Sequence, residues 1–186
     1  MRVVSGKYGS RPLKAVPGKN TRPTTDKIKE AIFNLLGQNL QGKLFLDMYA
    51  GSGAIAIEAV SRGFDHAVLC ERYRPAQATI QANLEMTREL ERFTLLKGDS
   101  YKSLLKWQVA NPDQCFDAVF LDPPYAKETI AKDIAWLEEQ GLLASGCRII
   151  CELDKAIDLP ASIDKFQLYK SKLYGITKIN IYQEEE

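Results

Sequence analysis

Leu44-Phe45-Leu46-Asp47-Met48-Tyr49-Ala50-Gly51-Ser52-Gly53-Ala54-Ile55-Ala56 decides how the rest of the chain is read. Three apolar residues make a short buried strand, and a glycine-rich turn follows at once. Ala54 then opens a helix that runs to Arg62 and is closed by Gly63. Glycines at such a turn let the backbone approach a ligand closely, and the helix start offers free N–H groups. Gly51-x-Gly53-x-x-Ala56 is the nucleotide-binding pattern of a Rossmann unit with alanine in its last place.

Working outward, the same strand-then-helix unit recurs. Ala67–Cys70, Phe93–Leu96, Phe116–Leu121 and Arg148–Cys151 are apolar strands. Between them lie helices marked by Pro75 in a first turn, by a Ser100 cap, and by Ile130, Ile134 and Leu137 ending at Gly141. The chain closes on two alternating runs, Phe166–Leu173 and Ile176–Tyr182, around the hairpin signal Tyr174-Gly175. Repeated units of this length predict an α/β, Rossmann-like fold. Helices cover both faces of a mostly parallel sheet, and ligands bind at the carboxyl ends of its strands. Before all this, Ile28, Ala31, Ile32, Leu35 and Leu36 form the stripe of an amphipathic helix from Thr25 to Gly37.

With 186 residues, 45% hydrophobic and 26% charged, the chain is of ordinary globular composition and suits one core. No apolar run approaches the roughly 20 residues of a membrane helix, and no signal peptide is visible, so a cytoplasmic protein without a membrane partner is expected. Four cysteines lie in apolar stretches with no CxxC pair and a single histidine, His66, which predicts buried thiols and no metal site. Net charge is +1, yet residues 1–30 hold eight basic and two acidic residues, leaving −5 for the remainder. Residues 1–23 are therefore set apart as a basic arm or small hairpin ahead of a domain spanning 24–186. Lys7, Arg11, Lys14, Lys19 and Arg22 are its expected phosphate contacts, and the arm is expected to add nothing to the core.

Glu71 falls twenty residues beyond Gly51, at the tip of the second strand, where a carboxylate can hold ribose hydroxyls. At this point NAD and S-adenosylmethionine are both open. Asp47 and Asp99 favour the second. Asp47 would repel a pyrophosphate but suits the ammonium of a methionine moiety, and Asp99 can accept from an adenine amino group. For Asp99, with Ser100 beside it, a plain helix cap is the competing role.

Asp122-Pro123-Pro124-Tyr125 follows the fourth strand. An exocyclic amine on a base is a poor nucleophile because its lone pair is delocalised into the ring. Two acceptors, the Asp122 carboxylate and the Pro123 carbonyl, can each take an N–H bond and draw the nitrogen towards tetrahedral geometry. Two prolines remove two backbone donors and stiffen the turn. Tyr125 offers a ring on which an extracted base stacks.

The turn Asp47–Gly53 and this tetrad resemble class I amino-methyltransferases. Over nearly the full length the chain resembles the RsmD-type family, the 16S rRNA guanine-N2 methyltransferases. That closer likeness rests on Arg2-Val3-Val4-Ser5-Gly6, on Thr21-Arg22-Pro23-Thr24 with Asp26-Lys27 and Lys29-Glu30-Ala31, on the glycine turn, and on Tyr174-Gly175. The resemblance implies a seven-stranded sheet with a terminal antiparallel hairpin. It also implies 16S rRNA within an assembling small subunit as substrate, and S-adenosylmethionine as cofactor, held by Asp47, Tyr49, Ala50, Gly51, Ser52, Gly53, Glu71, Arg72, Asp99 and Ser100. Adenine-N6 enzymes share the tetrad, protein-glutamine enzymes resemble it with Asn in first place, and a non-catalytic RNA-binding module is the alternative outside catalysis. Ile55-Ala56 departs from the Leu-Gly expected after the turn.

Overall fold

A computed structural model describes residues 1–18, 22–41 and 43–185. It comprises two compact units, Met1–Pro112 and Asp113–Glu186. Among the described residues no helix is long and apolar enough to cross a membrane.

In the first unit, α1 (Asp26–Leu36) is capped by Thr25, whose side chain accepts from Ile28 N. Then come β1 (Leu44–Asp47), α2 (Ala54–Ser61), β2 (His66–Glu71), α3 (Arg74–Thr87), a single 3₁₀ turn, β3 (Phe93–Lys97) and α4 (Ser100–Ala110). The three strands are parallel, with β2 in the middle: Leu46 lies beside Val68, and Val68 beside Thr94. Phe45, Leu46, Val68, Leu69, Ile57 and Ile80 are buried and form the centre of the unit. Ile55 and Ala56 are buried with them, so the departure from Leu-Gly is absorbed within the core.

The second unit runs β4 (Phe116–Leu121), α5 (Ala126–Glu139), β5 (Leu143–Asp154), β6 (Ser162–Ile163), β7 (Phe166–Tyr174) and β8 (Thr177–Glu184). β4 and β5 are parallel, and β8 lies antiparallel between β5 and β7. Ile130, Ile134 and Leu137 of α5 are fully buried, as are Val119, Ile149, Ile150 and Ile181 of the strands. Among the described residues this unit holds five strands and the first unit three, one more than the seven expected. The extra one is β6, two residues pairing with Phe166 and Gln167, too short to leave a periodic signal. β5 also starts five residues earlier than its apolar run implied. Gly146 has φ +74° inside it, and the register with β4 shifts between Phe116 and Ala118, so a turn-like Ser145-Gly146 sits inside an irregular strand.

The largest correction concerns the arm. Val3, Tyr8, Leu13 and Val16 are buried, so these residues do add to the core. Val3 N donates to Arg11 O, Ser10 N to Val3 O and Leu13 N to Met1 O, which closes residues 1–13 into a turn-rich hairpin. It docks on helices rather than on strands. The buried Glu58 carboxylate of α2 accepts from Val4 N and Ser5 N, at 2.9 and 3.0 Å, and Ser61 Oγ accepts from Tyr8 N. Gly6 is required there: with φ +87°, a Cβ on it would lie 1.9 Å from Ser61 O.

Candidate functional site

Asp47 ends β1 and is buried, only 1% exposed. The chain then reverses through Tyr49 and Ala50. Ala50 N donates to Cys70 O at 3.0 Å and Gly53 N to Ala50 O at 2.8 Å, fastening the turn to the end of β2. Gly51 and Gly53 have φ of +58° and +81°, which side chains rarely adopt. The two differ in surroundings. A Cβ on Gly53 would press Leu69 and Ile80 at 3.3 and 3.4 Å, so this glycine lets the helix start sit tight on the sheet. A Cβ on Gly51 would meet nothing within 4 Å, so the space in front of it is open.

Glu71, half-buried at the end of β2, is held by the backbone. Its Oε2 accepts from Gly51 N at 2.9 Å and its Oε1 from Tyr73 N at 2.8 Å. An ionised carboxylate has about four acceptor positions, so capacity remains for hydroxyl donors. Arg72 beside it is exposed. Asp99 is the N-cap of α4, its Oδ1 accepting from Lys102 N at 3.0 Å. The cap is thus Asp99, not Ser100 as expected, and Ser100 Oγ instead donates to Met48 O at 3.2 Å, tying the third strand tip to the first. The Cys70 thiol shows how these acids cluster. Burial raises its pKa first, and then the negative charges of Asp47, Glu71 and Asp99 raise it further. Three acids around an open glycine turn fit a ligand carrying both a sulfonium and an ammonium group.

Asn83 of α3 was not anticipated. It is buried, accepts from Lys14 N at 2.8 Å, and donates to Lys14 O and Ser52 O at 3.0 and 2.9 Å. One amide thus joins the N-terminal hairpin to the glycine turn. An isolated Asn within a helical pattern gives no sign of such a role.

Among the described basic residues of the arm, the side chains of Arg2, Lys7 and Arg11 are engaged inside the protein, Arg2 with Asp26 at 2.9 Å. Lys7 pairs with Glu89 at 2.7 Å, and Arg11 Nη1 donates to the carbonyls of Met86 and Thr87 at the end of α3. Tyr8 OH also bonds Glu89, whose pKa falls to about 2 with the Lys7 contact as its largest cause. Lys14 is anchored through its backbone with the residue exposed, Arg22 is exposed, and Lys19 lies outside the described residues.

In the second unit, Asp122-Pro123-Pro124-Tyr125 occupies the carboxyl end of β4. Pro123 is buried while Pro124 is exposed, and Tyr125, 74% exposed, is the residue before α5. So large an exposed aromatic beside a strand tip leaves a ring face accessible from solvent. Asp122 is open to solvent at its surface, but surrounding protein displaces enough water to raise its pKa to about 6.

The α/β architecture, with an acid-flanked glycine turn after β1 and the Asp-Pro-Pro-Tyr end of β4, is that of a class I methyltransferase, an enzyme class whose methyl donor is S-adenosylmethionine. Residues 1–183 match the family described as Conserved hypothetical protein 95, and the chain belongs to that family, the RsmD-type methyltransferases. YlbH of Bacillus subtilis is 36% identical over 183 residues, 98% of each chain. The Ribosomal RNA small subunit methyltransferase D of Escherichia coli K12 is 30% identical, covering all of this chain and 90% of its own. The solved structure of yhhF from Escherichia coli superposes with a TM-score of 0.82 at 28% identity, covering 100% of this chain and 98% of that one. An O-methyltransferase from Bacillus cereus in complex with SAH shares the fold, with a TM-score of 0.69 at 15% identity over 88% of this chain and 83% of its own.

Proposed function

We propose that the protein methylates the exocyclic N2 amine of a guanine in small-subunit rRNA. The observation that carries the chemistry is the end of β4: an accessible carboxylate, a proline-stiffened carbonyl and an exposed ring in four consecutive residues. The RNA substrate is supported by the Escherichia coli relative, which is named for methylating ribosomal RNA of the small subunit.

In this reading Asp47 holds the ammonium of the cofactor's methionine part, Glu71 its ribose, and Asp99 the adenine amino group. The backbone of Tyr49, Ala50, Gly51, Ser52 and Gly53 lines its path, with Arg72 and Ser100 at the edges. S-adenosylmethionine supplies a methyl group already activated on sulfur, so the protein has only to present the amine. Asp122 and the Pro123 carbonyl accept its two N–H bonds and direct the nitrogen lone pair. Tyr125 stacks on the base once it leaves its loop, and Pro124 keeps the turn rigid. The proton is lost after transfer, with Asp122 as its first acceptor. Rate acceleration on this account comes from orientation and fixed dipoles.

The test is transfer of labelled methyl from S-adenosylmethionine to small ribosomal subunits lacking their own methyl marks, with Asp122→Ala as control. Incorporation by the wild type and loss of most turnover in the variant, at nearly unchanged cofactor affinity, is expected. Near-normal single-turnover rates in Asp122→Ala would remove the acceptor role.

A further inference from the structure

The closing hairpin takes no part in the site so far, and its composition is unusual. From Lys165 to Gln183 there are four lysines and no acidic residue; Lys165 pairs with Glu138 and Glu184 and Lys178 with Asp158, and the other two, Lys170 and Lys172, lie on β7. Tyr169, Leu173 and Ile176 are 48%, 64% and 43% exposed, and Lys172 is exposed between them. Among the described residues, β6 pairs with the outer edge of β7 at Phe166 and Gln167, and Ala161 O accepts from Leu168 N beside them. Lysines alone would be enough to guard an open edge against pairing with another chain. Large apolar residues at the tip do the opposite, so edge protection does not account for them.

Register places this surface relative to the tetrad. Leu121 of β4 lies beside Cys151, Cys151 beside Asn180, and Asn180 beside Ser171 of β7. Beyond that row β4 gives way to Asp122, while the hairpin continues through Lys172, Leu173 and Tyr174 to Gly175 and Ile176. β5 keeps pace with it as far as Asp154, which pairs with Thr177. The tip therefore stands on the same rim as Asp122–Tyr125. It is three strand spacings away, about 14 Å, a distance of two or three nucleotides.

We propose that β7 from Tyr169 to the tip at Ile176 is a docking surface for RNA flanking the methylated base, a step that rests on the rRNA reading above. Charge selects the occupant: Lys170 and Lys172, on a strand without an acid, complement phosphates, while Tyr169, Leu173 and Ile176 offer contacts to unstacked bases. Lys170, 4.9 Å from the Tyr169 ring, joins both kinds of contact.

Binding of the full-length protein to small-subunit rRNA would be measured against salt for wild type, Lys170→Glu/Lys172→Glu, Leu173→Ser/Ile176→Ser, and Lys170→Arg/Lys172→Arg. The first two variants should bind on the order of tenfold more weakly, with melting temperature and cofactor affinity at wild-type values. The log–log salt slope of the charge-reversed variant should flatten by about 1.5, at roughly 0.7–0.9 per phosphate, and the arginine variant should bind as wild type. Wild-type affinity and slope in the glutamate variant would overturn the proposal. A photo-crosslinker at position 176, applied to purified small subunits, should join to rRNA; joining to ribosomal protein alone would also overturn it. The methyl-transfer reading fails separately: RNA bound in this way but never methylated would sink that reading and leave the surface standing.

Discussion

Glu71 binds the backbone of its own turn and, on our account, a ribose as well. Glu71→Ala should therefore weaken S-adenosylmethionine binding by about 1–3 kcal/mol, the scale of lost charge-assisted hydrogen bonds. Calorimetric titration of a folded variant checks this, and unchanged affinity would place the cofactor elsewhere. Asp122 makes a pH prediction. Its pKa is raised to about 6 by loss of water, so the carboxylate that accepts N–H bonds is formed as pH rises through that value and lost below it. The profile of kcat/KM for the RNA substrate should show an acid limb near pH 6 that disappears in Asp122→Asn, whose remaining rate should be low and flat. For stability the sign is opposite. A carboxyl with a folded pKa above its unfolded value favours the fold at low pH, and that contribution fades as pH rises from about 4 to 6. At this scale the placement of Asp47, Gly51, Gly53, Glu71 and Asp122 at strand ends was legible, because they sit at fixed offsets from strands that the apolar pattern reveals. The backbone bonds to Glu71 and the role of Asn83 were not, since both depend on atoms brought together from distant parts of the chain.

Among the elements, the N-terminal hairpin departs furthest from its sequence reading. A run rich in Gly, Pro, Lys and Arg reads as a basic arm or small hairpin apart from the core, and Val3, Tyr8 and Leu13 are too widely spaced to form a periodic face. What docks them is a buried carboxylate, Glu58, and a serine, Ser61, more than fifty residues later. Lys7, Arg11 and Lys14 changed together to Glu should consequently lower the melting temperature. Glu89 would face a second acid, and the end of α3 would lose a cation. About 2 kcal/mol, or roughly 4–8 °C for a chain of this size, is the expected loss, and a thermal melt unchanged from wild type would contradict the docked arrangement. Asn83→Ala should act on two elements at once. It leaves Lys14 and Ser52 carbonyls without their buried donor, so stability should fall by about 1–3 kcal/mol. Cofactor affinity should fall with it. A thermal melt and a cofactor titration on the same sample read both, and a stability loss with intact affinity would mean that the glycine turn keeps its shape alone.

For the whole molecule, the positions of most strands and helices followed from the alternation of short apolar runs with capped amphipathic ones; among the described residues β6, the 3₁₀ turn and the irregular start of β5 escaped. The choice of substrate base is a different matter, because an Asp-Pro-Pro-Tyr turn serves guanine N2 and adenine N6 alike. What separates them is the shape around the target base, which one turn does not encode. Nucleoside mass spectrometry of small-subunit rRNA, after incubation with the protein and isotopically labelled S-adenosylmethionine, identifies both the base and the atom that receive the methyl group. Labelled N2-methylguanosine, absent from the Asp122→Ala reaction, is the predicted product; labelled N6-methyladenosine in its place, or no labelled nucleoside, would contradict the account.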